Sequence, residues 1–161
     1  MASRRPLREV MHAEAMLEEM GVKPRAKKSG PPTAARVASF VAQADEMVKS
    51  GEWNDARPVH FVGLYKLLHQ WCYGVESQLS GMTFMAASSA AARMLRSSFG
   101  DDRSAFLDYL RWTWGRERET EKWRRDNGKP GGVMSWQRVF LQTGMVDRYR
   151  VEQERRKESR R

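Results

Sequence analysis

His69 and Cys72 stand three residues apart in "HQWCYG", a spacing that puts an imidazole and a thiol on one face of a helix. Such a pair can begin a metal site or an activated thiolate. A metal needs further ligands and a thiolate an orienting acid, and neither is evident nearby, so the pair reads as packing. The other histidines are His12 and His60. "GKPGG", residues 128–132, has the composition of a phosphate-binding loop without its spacing. It follows a helical pattern instead of a strand, and Lys129 precedes the glycine pair, so it reads as a helix-breaking turn. Glu117, Glu119, Glu121 and Asp126 alternate with arginines at helical spacing and read as halves of surface ion pairs. The expectation is no catalysis, no cofactor and no metal.

The chemistry left is that of grip. "WTWGRERETEKWRRDNGKPGGVMSW", residues 112–136, interleaves four of the six tryptophans with Arg116, Arg118, Lys122, Arg124, Arg125 and Lys129. On a helix Trp112 and Trp123, eleven residues apart, point within about 20° of each other. Tyr109 and Arg116 lie near that stripe, while Trp114 faces elsewhere with Phe106 and Leu110. One stripe serves the core and one is left over. Tryptophans are mostly present to be buried, so Trp123 is expected to receive the C-terminal segment, with Trp136 and Phe140 folding back after the glycine turn. The functional alternative has Trp123 stacking on a base. The cations, with Arg138, surround a turn expected to be mobile, where Gly131 and Gly132 let backbone N–H groups approach a phosphate.

The net charge of the chain is +9, mostly from arginine. Residues 101–132 carry eight basic against seven acidic side chains, residues 133–161 eight against four, and residues 1–35 seven against four. The surplus sits toward the ends, which suits a folded core with two basic arms closing on a polyanion: nucleic acid first, an acidic membrane surface or acidic protein second. Lone Cys72 excludes an internal disulfide and fits a reducing compartment. No apolar run approaches the roughly 18 residues of a membrane span, and no secretory signal is visible. A cytoplasmic protein is expected, in the host cytoplasm if phage-encoded, with no membrane partner.

The elements that must position these groups are helical. Residues 6–20 read as a helix that would be marginal alone, followed by the linker "GVKPRAKKSGPPTAA", expected to be a basic arm with Lys27 and Lys28. Thr33 caps a helix whose apolar face is Val37, Phe40, Val41, Ala44 and Val48, stopped by Gly51. Pro58 opens the next, with Phe61, Leu64, Tyr65, Leu68 and Cys72 in one stripe and Gly74 at its end. A third starts at Thr83 and ends at Gly100; Ala86, Ala87, Ala90 and Ala91 allow close packing. Asp101 and Asp102 cap a long helix over 103–127, stopped by Gly128. A short helix from Ser135 is interrupted by Gly144, and a polar stretch ends the chain. The expectation is an all-α compact bundle of five or six helices over 34–150, with a basic N-terminal extension, 1–33, and a basic tail, 151–161.

"LYKLLHQWCYG", "AARMLRSSFGDDRSAFLDYLRWTW", "KWRRDNG" and "SWQRVF", in that order, resemble small helical modules of bacteriophage and mobile-element replication proteins. The resemblance spans residues 61–149 and implies an accessory role in DNA transactions, with no catalytic residues to carry over. The sequence therefore points to a nucleic-acid-binding accessory factor, DNA before RNA. Its phosphate contacts are Lys27, Lys28, Arg116, Lys122, Arg124, Arg125, Lys129, Arg138, Arg155 and Arg156, with Trp123 for stacking. The alternative is an adaptor that docks through its N-terminal helix and basic surface on an acidic protein.

Overall fold

Thr33 caps the first helix, α1 (Ala34–Ser50): its Oγ1 accepts the Arg36 N–H at 3.3 Å, and Gly51 closes the helix in the left-handed region at φ 74°. The computed structural model describes residues 30–161, so the helix expected over 6–20 and the arm carrying Lys27 and Lys28 lie outside the described residues. Val37, Phe40 and Ala44 are buried, whereas Val48 is exposed, so the expected stripe is covered at one end and open at the other.

In α2 (Pro58–Tyr73) the expected Phe61, Leu64, Tyr65 and Cys72 are buried, and so are His60, Val62, Gly63 and His69. Six consecutive buried residues from His60 to Tyr65 exceed what one stripe can supply. The helix is enclosed from several sides, by α1 and by the two helices that follow. His60 is held in its neutral form: its Nδ1 accepts the Arg57 N–H at 2.9 Å and its Nε2–H donates to Gln43 Oε1 at 2.7 Å. Burial, with Arg57 second, pushes its pKa below the ordinary histidine value.

The close approach of α1 and α2 depends on Gly63. A Cβ there would stand 2.8 Å from the Phe40 carbonyl oxygen and 3.2 Å from Ala44 Cβ. The obstacle is backbone and cannot swing aside. Alanine recovers about 1 kcal/mol of helix propensity but incurs about 1–3 kcal/mol of overpacking. Gly63→Ala is therefore expected to lower the urea midpoint, and an unchanged or raised midpoint would refute this packing.

Lys66 Nζ closes the next loop by donating to the Ser77 and Leu79 carbonyls, both at 2.7 Å. α3 (Gly81–Phe99) begins two residues before the expected Thr83. Ser80 is the cap, and Thr83 sits at the third helical position, its Oγ1 donating to the Ser80 carbonyl at 2.6 Å. Ala87, Ala90 and Ala91 are buried as expected and Ala86 is exposed. Only Asp102 caps α4 (Arg103–Asp126), accepting the Ala105 N–H at 3.0 Å; Asp101 instead takes the left-handed conformation at φ 63°.

The remaining helices are α5 (Trp136–Phe140) and α6 (Thr143–Glu158), which makes six among the described residues, with no strand. The fold is all-α. Gly144 does not interrupt the short helix, which stops at Phe140; it lies in the first turn of α6. The polar ending is not a separate tail either. Residues 31–161 form one compact unit, and the expected boundary at residue 151 falls inside α6. Anchors at the start of α6, buried Val146 and partly buried Tyr149, hold a helix whose later turns are polar.

α2 and α4 run in the same direction. Phe61 meets Phe106 at 4.7 Å between centroids, and further along Tyr73 meets Trp114 at 5.9 Å. Trp114 is fully buried among Tyr65, His69 and Tyr73. The core thus lies under the first half of α4, and the charged second half runs beyond it.

Candidate nucleic-acid interface

Between α4 and α5 the chain returns through "GKPGGVMS", and two tyrosines of α2 hold it. Tyr65 donates to the Met134 carbonyl at 2.7 Å, and the Met134 N–H donates to the Tyr73 hydroxyl oxygen at 2.6 Å. Tyr73 donates in turn to buried Glu117 at 2.9 Å, and Arg124 donates to the same carboxylate oxygen at 3.1 Å. A further Arg124 N–H reaches the Gly132 carbonyl at 3.4 Å, and the Lys129 N–H donates to the Arg124 carbonyl at 2.9 Å. Burial pushes the Tyr65 hydroxyl up to about 12 and raises that of Tyr73 as well, so both keep their protons.

This chain of contacts revises two expectations. The turn is fastened at Met134 and Gly132. Gly131 makes room for a side chain: a Cβ there would stand 2.5 Å from Arg124 Cδ. Arg124 itself is committed to Glu117, to Glu121 at 3.6 Å and to the turn, with its side chain only 23% exposed.

α6 lies beside α4 and runs parallel to it. Tyr149 packs edge-on to Trp112 at 5.5 Å and, one turn on, Glu152 pairs with Arg116 at 2.9 Å. Glu152 also pairs with Arg156 at 2.9 Å. Burial opposes the charge of Glu152, but the Trp112 indole, Arg116 and Arg156 outweigh it and hold its carboxyl below the usual range. The Arg116 guanidinium rests 5.1 Å over the Trp112 ring. The leftover stripe of α4 therefore has two fates. Its upper part, Tyr109 and Trp112, is buried with α6 packed on it, and its lower part, Trp123, is 56% exposed. Trp123 does not receive the folded-back segment; Phe140 packs instead near Phe106 and Tyr65, and Trp136 is partly buried.

No known protein family, curated protein or solved structure matches this chain.

The charge is sharply divided. Residues 30–115 carry eight basic and eight acidic side chains, whereas residues 116–161 carry fourteen basic against eight acidic. The whole +6 surplus of the described chain thus lies from Arg116 onward. Lys122, Lys129, Arg138 and Arg155 are exposed and form no ion pair with a described residue. Arg125 pairs with Glu121 at 3.2 Å while remaining 63% exposed. Arg116, Arg125 and Arg156 are in surface pairs worth about 0–1 kcal/mol, weak enough to exchange a carboxylate for a phosphate. Lys122, Trp123 and Arg125 share the last turns of α4, Arg155 and Arg156 lie on parallel α6, and Arg138 sits on α5 at the other end of the return turn.

Two features of this surface carry little sequence signal. One is the Tyr65–Tyr73–Glu117–Arg124 chain, since nothing in an alternating Arg/Glu run marks Glu117 as the buried member. The other is Trp71, which stands about 100° off the stripe ending at Cys72. It is 48% exposed, with the Arg118 guanidinium 4.0 Å above its ring. His69 and Cys72, weighed as a reactive pair, have ordinary surroundings. His69 Nδ1 is 2.8 Å from the Val75 carbonyl, and burial, then Glu117, pushes the Cys72 thiol up to about 11. Among the described residues no three His, Cys, Asp or Glu side chains gather to hold a metal ion, and no helix is long and apolar enough to cross a membrane.

Proposed function

We propose that this chain is a non-enzymatic nucleic-acid-binding protein, an accessory factor in a phage-like DNA replication or processing assembly. One observation carries the reading: all of the net positive charge of the described residues lies from Arg116 onward, on the second half of α4, the return turn, α5 and the α6 segment to the end of the chain. A neutral bundle with a basic, mostly arginine prong is arranged to meet a phosphate backbone. Lys122, Lys129, Arg138 and Arg155 are the direct phosphate contacts. Arg116, Arg125 and Arg156 join them by exchanging partners, and Arg124 supports the turn from behind.

Binding to labelled DNA across a salt series tests this. Each phosphate neutralised adds about 0.7–0.9 to the slope of log K against log salt. Lys122→Gln/Arg155→Gln is therefore expected to reduce that slope by roughly 1.4–1.8 while leaving the melting temperature within a degree or two of wild type. Absence of binding at low salt would refute the reading and turn the search to an acidic protein partner.

A further inference from the structure

We propose that the groove between Trp71 and the charged half of α4 is a seat for an unpaired nucleobase, so that the preferred ligand is single-stranded nucleic acid. This deepens the nucleic-acid reading and rests on it. The groove, about 650 Å³, is floored by Trp71 and walled by Arg118, Lys122, Arg125, Glu119 and Asp126. Trp71 extends from α2, a helix otherwise buried over much of its length, and it is one of two tryptophans among the described residues whose rings are about half exposed or more. Its ring face already accepts a planar group, the Arg118 guanidinium at 4.0 Å. A stacked guanidinium at an exposed site contributes only about 0.5–1 kcal/mol, so a base offering a larger flat surface can displace it.

The charges around the ring favour a base over a backbone. Basic and acidic groups balance in this groove, Arg118, Lys122 and Arg125 against Glu119, Glu121 and Asp126, and the carboxylates repel a phosphate. A base edge, in contrast, carries amine donors that carboxylates accept. Arg118, once displaced, and Lys122 are placed at the rim to meet the phosphate attached to that base. Duplex DNA keeps its bases stacked inside and cannot use the indole. Trp123, five residues beyond Arg118 and about 7.5 Å further along α4, points to the α6 side. A strand crossing the end of α4 therefore meets a second exposed ring.

The experiment measures binding of a labelled oligonucleotide, single-stranded or annealed, to wild-type protein, Trp71→Leu and Trp71→Phe, with circular dichroism confirming the helical fold of each variant. One stacked base lost corresponds to about a 5- to 150-fold weaker affinity. The expected result is a loss of that size for the single strand with Trp71→Leu, most of it recovered in Trp71→Phe, and a change under twofold for the duplex. Equal loss on both ligands, or no loss on the single strand while wild type still binds DNA, would overturn the base seat and leave the nucleic-acid reading standing. No binding of either form by wild type would remove both.

Discussion

Replacing Trp114 with alanine is expected to destabilise the protein by about 3–5 kcal/mol, the range for deleting a buried aromatic side chain. Small domains have only about 5–15 kcal/mol in all, so Trp114→Ala should leave a protein that melts far below wild type or fails to fold. The site is the centre of the aromatic core: Trp114 is fully buried, with Tyr65, Tyr73 and His69 around it at 5.5, 5.9 and 6.3 Å. Trp114→Phe should be much milder, about 1–2 kcal/mol. The buried indole N–H has no acceptor, so phenylalanine forfeits area but no hydrogen bond. Urea unfolding of both variants checks the claim. A mild Trp114→Ala would show that the site collapses or admits water.

The second large effect separates two adjacent residues of the same type. Arg124→Ala is expected to cost about 2–3 kcal/mol, because it strips buried Glu117 of its charged partner and leaves Tyr73 as its remaining donor. That value is below the figure for a fully enclosed pair, since the 23% exposure of Arg124 lets water replace part of it. Arg125→Ala removes an exposed pair with Glu121 and is expected to change stability by less than about 0.5 kcal/mol. A double-mutant cycle of Arg124→Ala with Glu117→Gln should return a coupling of about 1–2 kcal/mol. Equal effects of the two arginines would mean that the Met134 turn holds without this chain. The contrast also bears on binding experiments: Arg125 reports on phosphate contact, whereas Arg124 reports on the integrity of the surface that presents it.

What the sequence by itself determined is local in origin. Helices appear at the expected places because their signals are short-range: Thr33, Pro58 and Asp102 at starts, and Gly51, Gly74, Gly100 and Gly128 in left-handed or terminating positions at ends. Periodicity identified Val37, Phe40, Phe61, Tyr65, Phe106 and Leu110 as core, since each lies on a face whose covering needs no detailed partner. The same periodicity placed Trp112 and Trp123 on one stripe of α4.

Only the tertiary structure decided how far that stripe is covered. α6 is held at Val146 and Tyr149, reaches Trp112, and leaves Trp123 open, a matter of where one helix rests on another. The ending of the chain reads as a polar tail because the later turns of α6 bury almost nothing and so lack an apolar period. Nor does an alternating run of Arg and Glu rank its members. Glu117 is buried because Tyr73 of α2 and the returning Met134 segment converge on it, contacts spanning 44 and 61 residues of chain. Opposite charges at helical spacing look alike in sequence. Their burial differs because a carboxylate can leave water only where distant donors meet it.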